Sequence, residues 1–252
     1  TGFLRTAIDD TDQDVLNIRS NRFAVIFDQM EIFGTSVLGL TLQRARCHSH
    51  KHEPIPQENY YQLLSTITPA FNIQRWKDPK QRALPTVTAA ERKSIDASNA
   101  RIDKQLAQLT KQLAALKKKA GLSGTEKARL AKLQKQIAKA TNQKRSYGWI
   151  QAVYDVGPPP PTYLLVRGDF KRPGRQVQPG FLSVLSESSS KISALPASSG
   201  RRTALARWLT KRDTPAASLV SRVMVNRIWQ HLTGVGIVPS SENLGRSGNR
   251  PT

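Results

Sequence analysis

Residues 88–119 read TAAERKSIDASNARIDKQLAQLTKQLAALKKK, and the spacing inside this stretch decides the fold class. Ile95, Ile102, Leu106, Leu109, Leu113 and Leu116 follow one another by a step of seven and then by alternating fours and threes, the apolar seam of a coiled coil. Thr88 and Glu91 make a capping box at its start, because Glu91 answers the backbone donor that Thr88 leaves free. Lys117, Lys118 and Lys119 set positive charge against the negative end of the helix dipole. Gly121 then ends the helix. Ser123 with Glu126 repeats the capping pattern, and Leu130, Leu133 and Ile137 form a second seam. Two seams joined by a short turn predict an antiparallel helical hairpin. Its first arm would be roughly 45 Å long at the rise of an α-helix.

Working outward, composition divides the 252 residues into four regions: 1–85, 86–146 (the hairpin), 147–200 and 201–252. The first is expected to hold a helix from about Asp14 to Phe33. An apolar, Gly-containing break from Gly34 to Leu42 follows, and a second helix opens at Gln57 after Pro54 and Pro56. The third carries a stiff polyproline segment, Pro158–Pro161. Thr162–Val166 then reads as a strand, among Gly and Pro turns, and Ser186–Ser190 as a surface loop. In the fourth, Leu205, Trp208 and Leu209 suit one buried helical face. Val220, Val223, Met224, Ile228 and Leu232 mark another helix, ended at Gly234. The expected class is mainly α: helical segments with a projecting antiparallel coiled-coil hairpin and a small β and loop segment.

Charge narrows the partners. Lys and Arg number 39 against 18 Asp and Glu, a net charge of +21, which favours anionic polymers or surfaces. Residues 88–146 hold fifteen basic and four acidic residues, +11 of that total. This is either a landing surface for polyanions or a solvated helical hairpin kept soluble by lysine. The stretch contains no aromatic residue for base stacking and no groove-reading motif, which argues against nucleic acid. Hydrophobic content of 38% is low for one globule and predicts solvent-exposed parts. No run approaches the ~18 apolar residues of a membrane span. Cys47 is the single cysteine, so no internal disulfide forms. Neither end reads as a natural terminus, so the chain is expected to be an internal excerpt of a larger protein.

Chemistry gathers in one place, Cys47-His48-Ser49-His50-Lys51-His52. On an extended strand His48, His50 and His52 would point to one side, and three imidazoles with an open position suit zinc or copper. Alternatively Cys47 is a small packed residue and the histidines only hydrogen-bond. No complete catalytic set is recognisable. His231, alone on its helix beside Trp229, reads as an ordinary helical residue. Arg222, Asn226 and Arg227 read as structural, holding neighbouring loop carbonyls, with a binding role as the open alternative.

The stretch from Gly39 to Ile55 (GLTLQRARCHSHKHEPI), followed by Tyr60-Tyr61, resembles a motif of exported planctomycete-type proteins. These combine a cytochrome c-like domain with two domains of unknown function. Arg201–Leu209 and Arg222–His231 resemble the opening of the second such domain, and Tyr163–Asp169 with Pro173-Gly174 the segment that links the two. The resemblance implies that residues 1–85 end the first domain and 201–252 begin the second. It also implies an extracytoplasmic location, in the periplasm or at the cell surface, and a long remainder of the same polypeptide as partner.

In that family the motif usually begins Cys-Ala-Arg-Cys-His, the attachment pattern of c-type haem. Here Arg44 stands at the first thiol position, so haem would be held by a single thioether through Cys47, with His48 as its axial ligand. Arg44 would then set a fixed positive charge at the porphyrin edge and raise the potential. Three functions follow: an accessory or scaffold segment without a cofactor, part of a haem or metal redox enzyme, or a polyanion-binding module.

Overall fold

The computed structural model describes residues 7–117, 123–186 and 192–252. Lys118, Lys119, Gly121 and residues 187–190 of the serine-rich loop lie outside them. In chain order the elements are α1 (Arg19–Phe33), α2 (Gln57–Ile67), β1 (Ala83–Pro85), α3 (Ala89–Lys117) and α4 (Gly124–Asn142). There follow β2 (Trp149–Gln151), β3 (Thr162–Leu165), β4 (Pro173–Val177), α5 (Arg201–Thr210) and α6 (Pro215–Thr233). The protein is mainly α, with two small antiparallel sheets. The chain divides into two compact units, residues 83–151 and the remainder.

The unit 83–151 is the helical hairpin. Ile95, Leu116, Leu133 and Ala140 are buried along its seam, and Ile102, Leu106, Leu109, Leu113, Leu130 and Ile137 are half-buried. Both capping boxes form: Glu91 N–H donates to Thr88 Oγ1 while Thr88 N–H donates to Glu91 Oε2, and Ser123 and Glu126 repeat the exchange. The arms run antiparallel, since the start of α3 meets the end of α4. There Lys144 Nζ lies 2.8 Å from Asp103, and Asn99 bonds both backbone groups of Arg145. Below them β1 pairs with β2.

In the other unit α2 is the central helix. Tyr60, Tyr61, Leu63, Leu64 and Ile67 are all buried, with Asn59, Ser65 and Thr66, so that only Gln57, Glu58 and Gln62 are part-exposed. Helix α1 contributes one face, Val25, Ile26, Met30 and Phe33, to the same core. The β3–β4 hairpin contributes Leu165 and Val177, and Phe181 stacks on Trp208 of α5 at 5.0 Å.

Two expectations change in detail. Helix α1 starts at Arg19 rather than near Asp14. A single 3-10 turn covers Asp14–Leu16 and Ile18 is extended, a bend held where Asn17 donates to Asp78 and accepts from Arg22 Nε. The helix also passes through the expected break, widening into a π-turn over Gly34–Leu38. It stops at Gly39, whose φ of +58° is costly for any residue with a Cβ, and such a Cβ would meet Val223 at 2.9 Å. On α6 only Val223 of the five marker residues is fully buried. Met224, Ile228 and Leu232 face out with Val225 and Trp229, because α6 is apolar on two sides and the described residues cover one.

Candidate functional site

The motif does not form a strand. Residues 43–46 are a 3-10 turn and 47–54 are turn and bends, so the three histidines do not share one side as a strand would require. His48 and His52 are exposed while His50 is buried. His50 is taken up by its own turn. Its Nδ1 accepts from the backbone N–H of His52 at 3.2 Å and of Glu53 at 2.9 Å. With Nδ1 an acceptor, Nε2 carries the proton and faces Thr41 Oγ1 at 3.5 Å. Burial holds the imidazole below the usual histidine range, against the pull of the Glu53 carboxylate. His48 Nδ1 sits 2.7 Å from the Ser49 carbonyl. The extended-strand geometry expected for His48, His50 and His52 is therefore corrected: the segment bends, the His50 and His52 rings meet edge to face with centres 6.3 Å apart, and His50 Nδ1 already accepts two backbone N–H groups. Among the described residues no three His, Cys, Asp or Glu side chains gather as a metal site.

Cys47 is half-buried and forms no disulfide. Its sulfur lies against Gly168 in the turn between β3 and β4. That glycine has φ +74°, and a Cβ there would come within 2.9 Å of the thiol. Arg44 is exposed. Arg46 folds back, its guanidinium 4.7 Å from the centre of the Phe27 ring. The Arg46 carbonyl accepts from Tyr61 OH at 2.8 Å and Gln57 Nε2 at 2.9 Å. Gln57 Nε2 also donates to the Leu165 carbonyl, so one amide ties the motif to β3. Burial raises the Tyr61 phenol far above its ordinary range, which keeps it a neutral donor. At the other end of the 3-10 turn, Glu31 Oε2 accepts from Gln43 N–H. Burial raises the Glu31 carboxyl against that bond and the nearby Arg46.

The motif is thus a turn pinned by Glu31, Gln57 and Tyr61 and closed by His50. Sequence reasoning singled out Cys47 and the histidines and placed Tyr61 beside them only by resemblance; it missed Glu31 and Gln57 as anchors, because nothing in their local spacing marks them. Asn59 was missed for the same reason: its Oδ1 accepts both the backbone N–H and the hydroxyl of Ser183. On α6, Asn226 is buried and clasps Val238, donating to its carbonyl at 2.9 Å and accepting from its N–H at 2.7 Å. Arg227 donates to the Thr35 carbonyl. Arg222 is exposed and holds no carbonyl among the described residues, and His231 is exposed beside Trp229.

Two families of unknown function match the chain. Residues 1–70, which include the whole motif turn, match PSCyt2, described as a protein of unknown function (DUF1549). Residues 201–252, which include α5 and α6, match PSD1, described as a protein of unknown function (DUF1553). No curated protein and no solved structure matches. No helix among the described residues is long and apolar enough to cross a membrane.

Proposed function

We propose that the chain is an accessory or scaffold segment of a larger extracytoplasmic bacterial protein of the planctomycete type, with the remainder of the same polypeptide as its main partner. It has no catalytic set of its own. The observation that carries this reading is the use made of the motif: His50 accepts two backbone N–H groups of its own turn, and Cys47 lies against a backbone that leaves no room for a Cβ. A residue type suited to binding is here a turn closure. The two matching families, one at each end and both of unknown function, support a multidomain setting.

The competing assignment is a single-thioether haem on Cys47 with His48 as ligand, and one measurement separates the two. The chain is co-expressed with c-type haem maturation machinery, and the tryptic peptide 47–51 is weighed. The scaffold reading expects the unmodified mass. A haem adduct, with one vinyl group retained in the reduced pyridine spectrum, would replace it by a redox function.

The hairpin supports a second reading, polyanion binding, because its basic residues are turned outward. Lys132, Lys135 and Lys139 are all exposed on α4, in a stretch carrying +11. Such binding would be blind to sequence and steeply dependent on salt. Reversing those three charges should weaken heparin and nucleic acid alike. Affinity that survives high salt, or favours one base sequence, would sink the idea.

A further inference from the structure

Beside the first turn of α1, and bounded by the polyproline segment and the β3–β4 hairpin, lies a cavity of about 290 Å³ that the scaffold reading does not use. Its buried lining is apolar: Ile26, Leu165 and the ring of Tyr61. The polar atoms among the buried lining groups are already satisfied. Tyr61 OH donates to the Arg46 carbonyl, and the Thr68 and Thr162 hydroxyls stand 3.4 Å apart, Thr68 also donating to Ser65. The buried part of an occupant therefore needs no hydrogen-bonding group. Flat surfaces dominate the sides. Phe23 and Phe170 lie with ring centres 5.3 Å apart at 26°, and Pro161 adds a rigid apolar face. Such a lining, in a space of this size, suits one aromatic ring or two fused ones.

The exposed lining has a different character. Arg19 lines the cavity with its guanidinium 5.8 Å from the Phe23 ring centre, and among the described residues no carboxylate pairs with it. The first turn of α1 contains no acidic residue, and no side chain caps it, so the helix dipole adds to the positive field there. Gln74, also exposed, offers an amide that bonds no other side chain among the described residues. An apolar flat interior under a cationic, amide-bearing rim is the inverse of an amphiphile with a ring at one end and an anion at the other. We propose that this cavity binds a small aromatic carboxylate, its ring against Phe23, Tyr61 and Phe170 and its carboxylate at Arg19.

The test is calorimetric titration of the full chain with indole-3-acetate, indole and tryptamine, which share a ring and differ in charge. Indole-3-acetate should bind with a dissociation constant on the order of 0.1–1 mM, indole more weakly, and tryptamine not measurably. Arg19→Gln, a surface change, should weaken indole-3-acetate about tenfold and leave indole unchanged. Phe170→Ala should weaken both. Should that variant unfold, ring-current shifts in the unmodified protein decide the matter, since they should centre on Phe23, Tyr61 and Phe170. Equal binding of tryptamine, an Arg19→Gln variant without effect, shifts mapping to residues 88–146, or no binding at about 10 mM would each overturn the proposal.

Discussion

Replacing His50 by alanine should unpin the motif turn, and the size of the effect can be worked from its bonds. Two backbone N–H groups, of His52 and Glu53, lose the acceptor they share. The turn is only partly buried, so water can recover some of each bond, and the net loss is about 1 kcal/mol apiece. Removing a ring that is 7% exposed leaves a small void worth about 1 kcal/mol more. The total is about 2–4 kcal/mol. In a unit of this size the melting temperature should fall by about 2–4 °C for each kcal/mol, read by thermal or urea denaturation. Asparagine places an oxygen close to where Nδ1 stands, so His50→Asn should keep most of the stability, whereas His50→Gln reaches the Nε2 position and should not. Acidity gives a second readout. Because burial lowers the folded-state pKa of His50, its contribution is complete above the unfolded pKa of about 6.5. It is lost as pH falls below that value, where the unfolded chain takes up the proton first, until the folded imidazole titrates as well. His50→Asn should abolish this increment. If alanine were neutral, or asparagine as damaging as alanine, the turn-closing role would be wrong.

Other outcomes follow from single contacts. Gly168→Ala should cost about 1–3 kcal/mol through its positive φ and the close thiol. A double-mutant cycle with Cys47→Ala should recover the part due to the clash and leave the backbone part. Asn226→Asp replaces the donor facing the Val238 carbonyl with an acceptor, and should cost about 2–3 kcal/mol and speed exchange of the Val238 amide. In the hairpin, Leu133→Ala should remove about 2–3 kcal/mol from a seam position that is 5% exposed, seen as earlier loss of helical dichroism. Lys132→Glu should leave that melting curve nearly unchanged.

What was legible in the sequence is what short-range rules write. The hairpin rests on steps of three and four residues and on capping pairs three apart, so Thr88 with Glu91 and Ser123 with Glu126 could be read without any tertiary information. The end of α6 at Gly234, with φ +88°, is equally local. Near the motif, local reading identified the chemically able residues but not what they do. An alternating His pattern permits a strand, and the chain bends instead because the core takes Leu42, Ala45, His50 and Ile55 while leaving His48 and His52 in water. The composition of residues 147–200 suggested linker and loop, yet Val153, Leu165, Val177, Phe181 and Leu182 enter the core. Only the folded chain could decide this, since the polar partners that fix it are far apart in sequence. Gln57 reaches Leu165 across 108 positions, and Asn59 reaches Ser183 across 124. The aromatic cavity has the same origin: Phe23, Tyr61 and Phe170 share no spacing, and meet because α1, α2 and the β3–β4 hairpin bury their apolar faces against one another.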